Sequence, residues 1–164
     1  MLAPTYVPAA RLVEADPLSS MEVLGVTVTP LVSSGETDGQ FALFQALVPH
    51  NVGIPVHSHP DVEFFYVLEG SLTVLRQTDD VIESFQIGAR QGGFVPSNAL
   101  HGFVNSNPET AHVLIACTSG LEAFLSEAGT PLGESAPRIP PNGAEIERVL
   151  AIARKHGQVF APPC

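Results

Sequence analysis

From residue 21 onward, short runs of apolar and β-branched side chains alternate with turn residues. Residues 21–29 are rich in β-branched side chains and stop at Pro30, and residues 41–48 form a second run that stops at Pro49. Between them, residues 35–39 combine two glycines with Thr and Asp and read as a turn. Residues 62–68 and 72–76 flank Glu69-Gly70-Ser71, a tight-turn pattern, and Thr78-Asp79-Asp80 leads into a further run at 81–87. Runs at 92–95, 102–105 and 113–118 complete the series. Short strands separated by Gly, Pro and Asn predict an all-β sandwich or barrel. Residues 1–20, with Pro4, Pro8 and Pro17 and no sustained periodicity, read as an arm or edge element.

After Gly120 the period changes. Residues 121–127 form a short helical candidate, and a Pro- and Gly-rich stretch follows from 129 to 143. The clearest helix spans 144–156, where Ile146, Val149, Leu150 and Ala153 recur at helical spacing. Asn142 with Glu145 supplies a capping-box-like start and Gly157 a stop. Arg154, Lys155 and His156 place positive charge where the helix dipole favours it. The expected organisation is therefore an arm (1–20), a β-barrel (21–120) and a C-terminal helical extension laid on the barrel (121–164).

The 164 residues suit one domain, and 45% of them are hydrophobic against 15% charged. The net charge of −10 makes nucleic acid and anionic membranes poor partners. The sequence shows no basic, apolar-cored leader and no apolar run long enough to span a bilayer, so a cytoplasmic protein is the expectation. Two cysteines, Cys117 in an apolar run and Cys164 at the end, do not make a disulfide framework.

The histidines change the picture. His57 and His59 stand two apart, so in an extended chain both imidazoles face one side. Glu63 follows four residues later, and on a straight strand it would lie about 13 Å beyond His59. Ligands of one ion must all come within roughly 2.0–2.2 Å of it, so the chain has to turn back at Pro60-Asp61. Residues 62–68 would then run back beside the His-bearing segment, with Glu63, Phe65 and Val67 inward. A hairpin at 96–100 would deliver His101 to the same interior. Asp61 reads as a turn residue, His50 as a loop-rim residue, and His112 and His156 as surface or tail residues.

These residues resemble the cupins, small double-stranded β-helix (jelly-roll) barrels. The first cupin motif is similar to residues 53–63, Gly-Ile-Pro-Val-His-Ser-His-Pro-Asp-Val-Glu, followed by Phe64 to Gly70. The second is similar to residues 96–105, Pro-Ser-Asn-Ala-Leu-His-Gly-Phe-Val-Asn. The resemblance implies that His57, His59, Glu63 and His101 ligate one divalent metal: iron, nickel, manganese, cobalt, zinc or copper. Three places where the family usually carries Gly hold Asn51, Arg90 and Asn98. The tail resembles the ending of single-domain cupins of the quercetin dioxygenase-like type and offers no chemistry of its own.

Three histidines and a carboxylate leave open positions on a five- or six-coordinate ion, where an oxygenated ligand can bind. The leading expectation is a metal-dependent dioxygenase cleaving a small aromatic or enolic substrate, with Glu63 also able to act as a base, as the quercetinase resemblance implies. The alternatives are a non-oxidative isomerase or lyase acting on a small hydroxy or keto acid, and a non-catalytic module that binds metal or a small molecule. Only Arg76 and Arg90 fall in the barrel stretch, which argues against a strongly anionic substrate. Phe44, Phe65, Phe94 and Phe103 are candidates to line a pocket. Asn105 is a candidate to orient a ligand from behind. Pairing through strand edges and the N-terminal arm, as cupins commonly do, predicts a homodimer.

Overall fold

The computed structural model describes residues 9–133 and 141–161. The first eight residues of the expected arm, positions 134–140 of the Pro- and Gly-rich stretch, Pro162, Pro163 and Cys164 lie outside the described residues.

Among the described residues twelve strands and two α-helices are arranged in chain order as β1 (Met21–Val23), β2 (Val26–Val32), β3 (Ala42–Val48), β4 (Gly53–Ser58), β5 (Glu63–Glu69), β6 (Ser71–Thr78), β7 (Val81–Gly88), β8 (Gly92–Val95), β9 (His101–Val104), β10 (Ala111–Cys117), α1 (Ser119–Ala128), β11 (Thr130–Pro131), α2 (Gly143–Lys155) and β12 (Val159–Phe160). Two antiparallel sheets result, ordered β11-β1-β2-β3-β10-β5-β8 and β12-β4-β9-β6-β7. This is the expected double-stranded β-helix with a short helical extension. Strict alternation on β3 buries Ala42, Phe44, Ala46 and Val48 and turns Leu43, Gln45 and Leu47 the other way. Phe65 and Val67 on β5 and Val113 and Cys117 on β10 complete the same core.

Three local expectations are corrected. Residues 21–29 are not one strand: Leu24 (φ 50°) and Gly25 (φ 86°) fold them into a hairpin of β1 and β2. β2 then continues through Pro30, because β1 pairs only as far as Val28 and Pro30 therefore breaks no ladder bond on that side. Glu69-Gly70-Ser71 does not close a hairpin. β5 pairs with β10 and β8, whereas β6 pairs with β9 and β7, so the chain crosses between sheets at Gly70. Gly70 has φ 76°, and a Cβ there would lie 3.0 Å from Ala111 Cα. Likewise β5 does not run back beside β4; the two lie in opposite sheets.

The positions where Gly is usual keep a glycine-like backbone without glycine: φ is 59° at Asn51, 68° at Arg90 and 63° at Asn98. Asn tolerates this conformation through its short polar side chain, whereas Arg has no such relief.

Both helices form where periodicity places them. Asn142 caps α2 by accepting from Glu145 N at 3.0 Å, but Glu145 turns to Arg148 (2.7 Å) instead of back to the cap. Val149 and Ala153 are fully buried, while Ile146 is 40% exposed and off the packed face. Arg11, in the exposed segment 9–16, pairs with Glu36. Among the described residues no helix is long and apolar enough to cross a membrane.

Candidate metal centre

Neighbouring strands bring the histidines together. β4 and β9 place His57 and His101 directly opposite each other, with ring centroids 4.5 Å apart. The close approach needs Gly102, where a Cβ would meet Ile54 O at 2.7 Å. His59 follows β4 on the connection to β5. Asn98 N donates to His59 O (2.7 Å) and Ser97 Oγ to Pro60 O (2.5 Å), which ties that connection to the turn before His101. Glu63 starts β5 in the facing sheet, paired with Cys117 and Val95. The site therefore spans both sheets, and one donor atom from each of His57, His59 and His101 lies within 4.8 Å of the other two.

The ring nitrogens are oriented for a metal. Nδ1 of His57, His59 and His101 lies 2.9, 3.0 and 2.9 Å from the carbonyl oxygens of Pro55, Asp61 and Ala99. A carbonyl only accepts, so each Nδ1 carries a proton, which leaves Nε2 as the atom that would face an ion or, when it too is protonated, donate to Glu63. Glu63 Oε2 stands 3.2 Å from His59 Nε2 and 3.4 Å from His101 Nε2. All four side chains are buried.

Burial, with the neighbouring His101, pushes His57 down to about 4, so it stays neutral. Burial would lower His59 too, but its hydrogen bond to Glu63, the charge of Glu63 and the Asp61 carbonyl together outweigh that and raise it. Burial would raise Glu63, but hydrogen bonds from His101 and His59 hold its carboxyl down at about 2. An anionic oxygen beside three inward imidazole nitrogens is a donor set that fits a divalent first-row metal.

Over these groups lies a cavity of about 80 Å³, partly open to solvent. Val23, Val26 and Val28 line one side and Leu121, Phe124 and Leu125 of α1 another. Of the residues expected to line a pocket, Phe103 does. Phe44 and Phe65 sit in the hydrophobic core, outside the lining, and Phe94 is 67% exposed because it points outward from edge strand β8. Asn105 does not orient a histidine. Its amide donates to Val48 O and Glu109 O, both at 2.8 Å, and the backbone carbonyls near each histidine do the orienting. His50 is exposed and bonds Asn107 O, and His156 pairs with Glu127. Asp61 does more than turn the chain, since its buried carboxylate accepts from Thr118 Oγ1 at 2.6 Å and anchors the start of α1. Burial pushes the Cys117 thiol up to about 12 and leaves it inert.

The tail, expected to carry no chemistry, reaches the site. β12 pairs with β4, setting Phe160 beside His57 and stacking the two rings with centroids 5.3 Å apart. Gln158 and Phe160 both line the cavity. No local signal marks these residues in the sequence, because their role depends on pairing across about 100 positions of chain.

Residues 43–117 match the family model described as a cupin domain. No curated protein matches this sequence. Among solved structures, the chain is similar to the polyketide cyclase RemF from Streptomyces resistomycificus (24% identity, TM-score 0.55, covering 68% of this chain and 80% of that one). It is also similar to a protein from Thermotoga maritima described as a predicted oxalate decarboxylase (15% identity, TM-score 0.58, 66% and 98%). A third is the cupin domain of Cnp3 from Schizosaccharomyces pombe (16% identity, TM-score 0.50, 67% and 72%). At these identities the shared property is the fold, and the domain match and fold together support the cupin superfamily.

Proposed function

With a cupin barrel as the premise, we propose that this protein is a metal-dependent enzyme of dioxygenase type. It acts on a small aromatic or enolic substrate, with His57, His59, His101 and Glu63 holding the metal. One observation supports the choice of substrate: among the described residues the cavity over the histidines has mostly apolar walls, and no Lys or Arg lines it. Arg76 stands next in the cross-strand row after His101, but its guanidinium pairs with Glu83 at 2.6 Å, and Arg90 lies at a turn. Among the described residues a hydroxy or keto acid would meet no Lys or Arg there, whereas an aromatic ring with hydroxyl or keto oxygens fits apolar walls above a polar floor.

When bound, a divalent metal supplies a Lewis acid that takes a ligand oxygen. The chain's own residues do the rest. The three carbonyl-anchored imidazoles fix the geometry. Ionised Glu63 can accept a proton from a substrate hydroxyl through a carboxylate oxygen that the metal would not hold. The walls from α1 and the β1–β2 hairpin restrict water. A second reading keeps the same site and substrate class but involves no dioxygen, with Glu63 moving protons in an isomerase-, lyase- or cyclase-type reaction. The exposed Phe64 and Phe94 on the β5–β8 edge support the expectation of a homodimer.

The test is metal analysis of purified protein beside a His57→Ala/His101→Ala variant, followed by oxygen uptake with quercetin after loading with each candidate metal. About one metal per chain, lost in the variant, with oxygen consumed in step with quercetin, is the expected result. Quercetin consumed without oxygen uptake would replace the dioxygenase by the non-oxidative reading. No bound metal after loading would sink both.

A further inference from the structure

Among the described residues lining the cavity, the polar side chains are the four of the candidate centre and one more, Gln158. Gln158 is 4% exposed, yet among the described residues its side-chain amide has no hydrogen-bond partner; only its backbone is engaged. The fully buried side-chain polar atoms left without a partner among the described residues lie elsewhere, at Asn107 and His112, so the Gln158 amide keeps access to the cavity it lines, where water or a ligand can satisfy it.

Its position is built from both sides. Gly157, at φ 74°, ends α2 with a backbone conformation that glycine adopts without strain. Gln158 N then donates to Ala153 O at 2.9 Å, on the buried face of α2. On the other side β12 pairs Val159 with Ser58 and Phe160 with His57, and Ala161 N donates to Val56 O at 2.9 Å. Gln158 is thus held between a packed helix end and the strand that carries His57.

We propose that Gln158 is a substrate-binding residue, whose amide hydrogen-bonds an oxygen on the body of a ligand lying over the histidine cluster. The amide offers both an N–H donor and a carbonyl acceptor, so it takes a hydroxyl or a keto oxygen. Between apolar walls such a group discriminates, because a ligand without the matching oxygen displaces the water that would otherwise satisfy the amide and puts no hydrogen bond in its place. The inference rests on the aromatic or enolic reading of the cavity, and it makes the C-terminal extension the element that sets ligand choice.

The test uses the full chain loaded with zinc, which does not oxidise the probes, and titrates it calorimetrically with quercetin and with 3-hydroxyflavone. Both probes present the same 3-hydroxy-4-keto pair, but 3-hydroxyflavone lacks the other hydroxyls. Gln158→Met keeps the length of the side chain and removes its hydrogen bonding, and Gln158→Asn withdraws the amide by one methylene. Metal content and melting temperature are checked in each variant. Wild-type protein is expected to prefer quercetin. Both variants should weaken quercetin roughly three- to tenfold while leaving 3-hydroxyflavone almost unchanged. Should one variant fail to fold, the other decides. Binding of both probes by wild type, unaltered in the variants, overturns the role of Gln158 and leaves the aromatic reading standing. No binding of either probe by zinc-loaded wild type overturns both.

Discussion

The ring of Phe160 stacks on the imidazole of His57, with centroids 5.3 Å apart and planes 22° from parallel. One residue comes from the last described strand and the other from the strand that opens the candidate metal centre, and backbone pairing of β12 with β4 holds them in register. The stack shields one face of the His57 imidazole from water. Phe160→Ala is therefore expected to loosen both the tail and the site. Because Phe160 is only partly buried, the loss of stability should be about 1–2 kcal/mol, below the range for a fully buried Phe. Metal affinity should fall up to about tenfold, as for other groups that support a ligand. Thermal melts and competitive zinc titration measure the two effects, and an unchanged zinc affinity would show that the stack is packing alone.

Acid should destabilise the metal-free protein in a defined window. His57 titrates near 4 when folded and near 6.5 when unfolded, so between these values the unfolded chain binds the extra proton. Its contribution is complete above pH 6.5 and is lost as pH falls through 4. Glu63, held at about 2, extends the loss below the ordinary carboxylate range. His59, raised by Glu63, acts in the opposite sense and loses its contribution as pH rises through its folded value. Urea melts of chelator-treated protein should lose up to about 3 kcal/mol to His57 between pH 6.5 and 4. His57→Asn should flatten that slope, and a slope identical to wild type would refute the assignment.

Gly102 permits β4 and β9 to approach where His57 and His101 face each other. In Gly102→Ala the new methyl group would meet Ile54 O at 2.7 Å and Pro55 C at 3.0 Å, both backbone atoms. The strands must separate, at a cost of roughly 1–3 kcal/mol. The histidine pair should widen with them, so zinc affinity should drop together with the melting temperature. A destabilised variant with native zinc affinity would show that the strain is absorbed elsewhere.

Arg90 occupies a left-handed backbone position at φ 68° on an exposed turn. Such a conformation costs a non-glycine residue roughly 1–2 kcal/mol, partly offset by the greater freedom of glycine in the unfolded chain. Arg90→Gly should therefore stabilise the protein by about 0.5–1 kcal/mol without altering metal binding. A lower melting temperature would mean that the Arg side chain contributes more than its backbone costs.

Phe64 and Phe94 are paired across β5 and β8 and both point outward, 42% and 67% exposed. An apolar pair on a sheet edge is expected to be covered in solution by a second copy. Light scattering should return twice the chain mass of 17.3 kDa, and Phe94→Glu should return the mass of one chain. A wild-type mass of 17.3 kDa would exclude the dimer.

Much of this protein is legible locally. Alternation, Pro stops and Gly-rich turns locate most strands, and helical spacing with the Asn142 cap locates α2. The His57-Ser58-His59 spacing and the forced turn at Pro60-Asp61 place His59 and Glu63 within 3.2 Å of each other. These features rest on neighbours a few residues apart, where backbone geometry alone decides what can meet. What depends on strand partners was not legible. Glu69-Gly70-Ser71 reads as a hairpin until the crossover between sheets is seen, and four aromatic candidates for the pocket could not be sorted, because only the curvature of the sheets decides which inward face meets core and which meets cavity.

The sequence by itself determined the barrel class and the candidate metal-ligating residues, since period-two alternation and the spacing of His57, His59 and Glu63 are properties of short segments. The tertiary structure alone decided that Glu63 faces the histidines from the opposite sheet and that Gln158 and Phe160 reach the site. Those placements follow from the register of β12 on β4 and from the burial of Val149 and Ala153, which seats α2. Both are contacts between segments far apart in sequence, which form because together they bury apolar surface that neither segment can cover alone.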